Sequence, residues 1–139
     1  MPGIDAASRL ADLRRAEALS PKLLYAVDAR LTPSSPVTDV ARLTSLTGAA
    51  VAAGHGHVLD TSHVIFPNGA ITLVLILAES HLSVHTWPEE DLIAIDLFSC
   101  GSIDGEAVIS ELTRSLRLNA VSVRRLDRGP RPVRGGESG

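Results

Sequence analysis

Apolar and polar residues alternate along this chain in short blocks, and the blocks predict one mixed α/β domain. Ile4, Leu10, Leu13 and Leu19 recur among Arg and Asp across the first twenty residues, which suits a short amphipathic helix or a frayed leader. Lys22 to Leu31 has a period of two: Leu24, Ala26 and Asp28 face one way, Leu23, Tyr25 and Val27 the other, which predicts a strand. Pro33-Ser34-Ser35-Pro36 is a loop, after which Thr38 or Asp39 caps a helix carrying Val40, Leu43, Leu46 and Thr47 on one side. Gly54 and Gly56 end that helix.

Val58 to Phe66 predicts a second strand, closed by the turn Pro67-Asn68-Gly69. Ile71 to Ala78 is an unbroken apolar run, too short for a membrane and suited to a buried central strand. A polar stretch, Glu79 to Asp91, interrupts it. Leu92 to Phe98 predicts a strand, Asp104 to Leu116 a helix with Val108, Ile109, Leu112 and Leu116 on one stripe, and Ala120 to Leu126 a last strand. The order is strand, helix, three strands, helix, strand. It predicts an α+β two-layer sandwich, a mostly antiparallel sheet with helices on one face. The other sheet face then needs cover, and a partner subunit is one way to provide it. Residues 1–20 read as an N-terminal extension, 21–126 as the domain, and 127–139, rich in Gly, Pro and Arg, as a flexible basic tail.

Composition narrows the function. With 139 residues, 45% of them hydrophobic, the chain builds a single core, and a net charge of −3 argues against general nucleic-acid binding. No apolar run is long enough for a transmembrane helix, and the first twenty residues lack a secretory core. Cys100 is the lone cysteine, so an internal disulfide framework is excluded and a cytoplasmic enzyme is expected. Lys22 is the lone lysine, in surroundings unlike a cofactor site. An amine-handling chemistry would therefore draw its carbonyl from a source other than pyridoxal phosphate.

The candidate chemistry sits in Glu79-Ser80-His81-Leu82-Ser83-Val84-His85-Thr86-Trp87-Pro88-Glu89. Two histidines, two serines, a threonine and two glutamates follow directly on a buried strand, a switch that often marks a site. On a strand, His81, Ser83 and His85 share one face and Ser80, Leu82 and Val84 the other. Three readings stand open on these residues alone. Ser80 or Ser83 is a nucleophile activated by histidine. Alternatively, His55, His57, His63, His81 and His85 contribute to a metal site, although their spacing fits no strong metal motif. In the third, the segment is a hydrogen-bonded strand end without chemistry.

The same eleven residues closely resemble the processing-site motif of the pyruvoyl-dependent S-adenosylmethionine decarboxylases of bacteria and archaea, and Asp96-Leu97-Phe98-Ser99-Cys100-Gly101 resembles their second motif. The resemblance covers residues 60–101 closely and Lys22 to Leu126 by element order. It implies a proenzyme that cuts its own Glu79–Ser80 bond into residues 1–79 and 80–139, leaving a covalent pyruvoyl group derived from Ser80. It implies that this group holds the substrate amine as a Schiff base while the carboxylate leaves. The product would be S-adenosylmethioninamine, the aminopropyl donor for spermidine. His85 and Thr72 match residues that assist processing, Cys100 matches the proton donor, and Glu89 matches the glutamate on the ribose hydroxyls. No metal is implied. The family sheet is four-stranded, and processed protomers form a homodimer with shared sites, Ser80 and Cys100 from one subunit and His85 and Glu89 from the other.

Three stretches depart from the family pattern. Pro21-Lys22-Leu23 replaces a Gly-Lys/Arg-His sequence, Glu90-Asp91 replaces Tyr-Gly, and the adenine-stacking aromatic position is held by Ile65 with Phe66 beside it. These departures bear on the substrate, and some relatives decarboxylate arginine or ornithine by the same route. A non-catalytic relative that binds a partner through its basic tail is a further alternative.

Overall fold

The computed structural model describes residues 6–17 and 21–130. Nine principal elements follow in chain order: α1 (Ala6–Glu17), β1 (Lys22–Arg30), α2 (Val40–Ala53), β2 (Val58–Ile65), β3 (Ile71–Leu77), β4 (Ser80–Trp87), β5 (Leu92–Cys100), α3 (Gly105–Ser115) and β6 (Asn119–Arg128). A short 3-10 turn, Pro88–Glu90, joins β4 to β5.

The strands form one sheet in the order β2-β3-β4-β5-β1-β6, and every neighbouring pair is antiparallel. The sheet therefore has six strands rather than the four expected from family resemblance. One of the additional strands is β4, which the sequence reading left as a polar interruption. Its inward positions Leu82 and Val84 are fully buried, but His81, Ser83 and His85 on the opposite face break up the apolar signal. Thr86 also points inward, and its hydroxyl accepts the Ile71 N–H at 2.9 Å, so a polar side chain is satisfied inside the core. β6 runs two residues past the expected end at Leu126, because Leu23 and Lys22 pair with Asp127 and Arg128. The remainder of the basic tail, residues 131–139, lies outside the described residues.

Helices α2 and α3 pack on one face. Leu43, Ala50 and Val51 of α2 and Val108, Ile109 and Leu112 of α3 form a single core with Tyr25, Val27 and Ala29 of β1, Ile71, Leu73 and Leu75 of β3, and Ile93, Ile95 and Leu97 of β5. Asp39 caps α2 by accepting the N–H groups of Ala41 and Arg42 at 3.0 and 3.3 Å, and Asp104 caps α3 by accepting that of Ala107 at 3.0 Å. Gly54 lets the end of α2 meet the start of α3. Its carbonyl accepts the Asp104 N–H at 2.9 Å, and a Cβ there would lie 2.7 Å from the Asp104 carbonyl oxygen.

The opposite face carries Thr72, Val74 and Ile76, His81, Ser83 and His85, Asp96 and Phe98, and Leu24 and Leu126, with no helix of the core over it. Ile76 and Leu126 are exposed there, at 45% and 51%. Among the described residues no helix is long and apolar enough to cross a membrane.

Candidate active site

β3 and β4 are joined by a two-residue turn, Ala78-Glu79, with Leu77 and Ser80 paired across it. Two-residue hairpins usually take a turn type that needs positive φ in the turn itself. Here neither turn residue has one; Ser80, just beyond, has φ of 151° instead. That region is populated almost only by glycine, and holding a serine there costs on the order of 1–3 kcal/mol. The strain falls on the residue that the sequence marks as the nucleophile.

The turn is tied down on all sides. The Glu79 carbonyl oxygen accepts the Cys100 N–H at 3.1 Å, and the Ala78 N–H donates to the His57 carbonyl at 2.9 Å. The Glu79 side chain is fully buried. Its Oε1 accepts the His57 N–H at 3.0 Å, and its Oε2 lies 2.6 Å from His57 Nδ1. Cys100 is a free, buried thiol. Ser80 stands in register with Ser99, whose hydroxyl is buried without a hydrogen-bond partner among the described residues. Glu79, Ser80 and Cys100 thus come together as the sequence predicts. Leu10 of α1 lines a shallow hollow together with Ala78 and Ser80.

A second cluster lies at the other end of β4. Thr72 pairs with His85 across β3 and β4, and the Thr72 hydroxyl lies 3.1 Å from His85 Nδ1. Both line a cavity of about 500 Å³ with Phe66, Asn68 and Trp87. The rings of His85 and Trp87 are 6.1 Å apart. Glu89 sits in the 3-10 turn beside this cavity, its Oε2 accepting from Asn68 Nδ2 at 2.9 Å. Ile65 and Phe66 separate here. Ile65 pairs with Ile71 on the helix-covered side of the sheet and is 55% exposed, whereas Phe66 lines the cavity. An aromatic ring is therefore present beside His85 despite the one-residue shift in sequence, and Ile65 is not part of the lining.

The two clusters do not meet within one protomer. Five residues of extended chain separate Ser80 from His85, about 16 Å at ~3.3 Å per residue, and their register positions fall on opposite faces of the pleat. His81 points elsewhere, 5.9 Å from the Phe98 ring, over which Arg128 lies at 5.4 Å. The five histidines considered as metal ligands do not converge: among the described residues no three His, Cys, Asp or Glu side chains could share a metal ion. The larger cavity, about 640 Å³ between α3 and the β1–β6 edge, contains Tyr25, Glu106 and Arg125 but none of the predicted site residues. Two contacts to predicted site residues were not legible in the sequence, which offered His57 only as a candidate metal ligand. His57 lies 22 positions before Glu79, and Asn68 reads only as a turn residue until the fold brings it to Glu89.

Comparison with known proteins bears on this geometry. A family model described as S-adenosylmethionine decarboxylase matches residues 24–129. The S-adenosylmethionine decarboxylase proenzyme of Picrophilus torridus is 35% identical over 108 residues, 76% of this chain and 78% of that protein. Proenzyme 2 of Bacillus anthracis is 39% identical over 74 residues, 52% of this chain; the match spans 60% of the Bacillus protein's length. The crystal structure of the adenosylmethionine decarboxylase from Aquifex aeolicus superposes with a TM-score of 0.69 at 23% identity, covering 86% of this chain and 98% of that one, a likeness of fold.

Proposed function

The chain belongs to the S-adenosylmethionine decarboxylase family, and on that footing we propose that it is a self-processing, pyruvoyl-dependent decarboxylase of S-adenosylmethionine, whose product S-adenosylmethioninamine donates aminopropyl groups for spermidine synthesis. The observation that carries this reading is the turn at Glu79-Ser80. A strained serine follows a peptide carbonyl that already accepts a backbone N–H. In the first step the Ser80 hydroxyl oxygen bonds to the Glu79 carbonyl carbon, the C–N bond breaks, and the amine takes the hydroxyl proton. The Cys100 N–H stabilises the negative charge that passes through the carbonyl oxygen. The ester then eliminates: the Ser80 α-proton leaves, the Cβ–O bond breaks, and Glu79 departs as a carboxylate. The remaining enamine tautomerises to an imine, which water hydrolyses to a ketone with release of ammonia.

The residues present fit the pyruvoyl group: its precursor serine, the carbonyl it must sever and a thiol stand together at one end of β4 and β5. Once formed, that group would hold a substrate amine and accept the electrons left by carbon dioxide. Cys100 supplies a proton to the α-carbon, a role suited to a thiol. His85, oriented by Thr72, acts as the base that takes the Ser80 α-proton. Phe66 stacks on the adenine, and Glu89, steadied by Asn68, accepts from the ribose hydroxyls.

This division of labour requires two copies. In this reading two protomers pair so that His85 and Glu89 on the open sheet face of one reach the end of β4 and β5 in its partner, where the Glu79–Ser80 bond and Cys100 lie. The exposed Ile76 and Leu126 on that face support such packing. The test is intact mass together with carbon dioxide release from carboxyl-labelled S-adenosylmethionine, arginine and ornithine. Two chains meeting at residues 79 and 80, with release from S-adenosylmethionine alone, are expected. Active material that remains a single chain would sink the proposal, activity only on arginine or ornithine would replace its substrate, and an uncut, inactive dimer would favour a binding subunit.

A further inference from the structure

We infer that His57 is a positioning residue for self-cleavage, holding the Glu79 side chain so that the scissile carbonyl stays on the Cys100 N–H. The inference rests on the self-processing reading above and extends it to a residue outside both motifs. His57 makes three hydrogen bonds to a two-residue turn: its carbonyl accepts from the Ala78 N–H, its N–H donates to Glu79 Oε1, and its ring Nδ1 meets Glu79 Oε2. The first two come from the backbone and survive any side-chain change. The third depends on the imidazole.

The arrangement is asymmetric in burial. The Glu79 carboxylate is sealed from solvent, whereas 43% of the His57 side chain is accessible. A sealed carboxylate deprived of its second donor is driven toward water. Glu79 occupies half of a two-residue turn, so a swing of its side chain out of the buried site strains that turn and draws the carbonyl from the Cys100 N–H. Attack by Ser80 requires that carbonyl in place, because misplacement by about 1 Å is enough to slow a reaction on the order of 100-fold. The Glu79 carboxylate also lies one residue's reach from the oxygen on which negative charge develops. With Nδ1 donating its N–H to Oε2, this hydrogen bond draws the carboxylate charge toward His57 and away from that oxygen.

The experiment follows chain scission in newly synthesised full-length protein by gel and intact mass. The variants are His57→Leu, which keeps bulk but cannot donate, and His57→Asn, whose amide N–H can reach the carboxylate. His57→Leu should lengthen the half-time of cutting at least ~10-fold. His57→Asn should cut within ~3-fold of the unaltered chain. Rescue by the donor distinguishes positioning from bulk. The same two changes in a Ser80→Ala background, which stays whole, report folding by circular dichroism and melting temperature. Leucine cutting at the unaltered rate, asparagine cutting as slowly as leucine, or failure of His57→Leu to fold in that background would each overturn the inference. An unaltered chain that is never cut would instead overturn the processing scheme itself.

Discussion

The backbones of Glu79 and Cys100 meet directly: the Cys100 N–H donates to the Glu79 carbonyl oxygen at 3.1 Å, linking the β3–β4 turn to the end of β5. In the proposed scheme Cys100 makes two separable contributions, a peptide N–H that serves cutting and a thiol that serves the reaction after it.

Replacing the thiol should leave the first contribution intact. Cys100→Ala is expected to be cut normally and to lose decarboxylation on the order of 100-fold, the usual worth of a general acid. Scission by mass and turnover per cut chain are the two measurements. Unchanged turnover would remove the thiol from the mechanism.

Phe66 and Ile65 make a matched pair of tests. Base stacking on an aromatic ring is worth about 1–3 kcal/mol, so Phe66→Ala should raise KM for an adenosyl substrate by roughly tenfold or more. Ile65→Ala, on the other side of the sheet, should change KM by less than about twofold. Equal effects would mean that the cavity beside His85 is not where adenine sits.

The proposed sharing of sites between protomers is open to a complementation experiment. Glu89→Ala and Cys100→Ala each damage one half of every site. In a mixture free to exchange, half the dimers pair unlike chains, and each of those carries one intact site. Activity should therefore return to roughly a quarter of the unaltered level. Absence of recovery after verified exchange would show that both residues act within one protomer.

The sequence carried the chemistry more clearly than the architecture around it. The closeness of Glu79, Ser80 and Cys100 was legible because one dense motif opens β4 and the other closes β5, and antiparallel pairing brings those ends together. β4 was harder to read, since His81, Ser83 and His85 give its open face the composition of a loop while Leu82 and Val84 alone record its burial. The separation of Ser80 from His85 followed from strand geometry only once β4 was known to be extended over its whole length. His57 stood out only as one of five candidate metal ligands: its contact with Glu79 comes from the approach of the β2 end to the β3–β4 turn, a long-range contact without local pattern.

Tyr25 gives a pH-dependent test of the core. Burial first, and then its hydrogen bond to Glu106 at 3.1 Å, raise its phenol above the ordinary value of 10.0, against an opposing influence from Arg125. The folded state thus favours the protonated phenol. Its stabilising contribution is complete below pH 10 and is lost as pH rises through the folded-state value. Urea unfolding should show stability falling steadily above pH 10. Tyr25→Phe should lower stability at pH 8 by about 1 kcal/mol and flatten the alkaline decline. Because Tyr25 is the sole tyrosine, its ultraviolet ionisation can be followed directly. An ionisation midpoint at or below 10 would contradict the arrangement.

Strand β1 lies between β5 and β6, although it belongs to the stretch before residue 79 and they belong to the stretch after it. A break at that peptide bond would leave two polypeptides plaited into one fabric, each completing the other's weave. Neither piece would come away without dissolving the whole, and once parted under denaturant they would have to find each other by collision. Their recovery would then quicken with protein concentration, where the uncut precursor would fold its own strands together without an encounter between fragments.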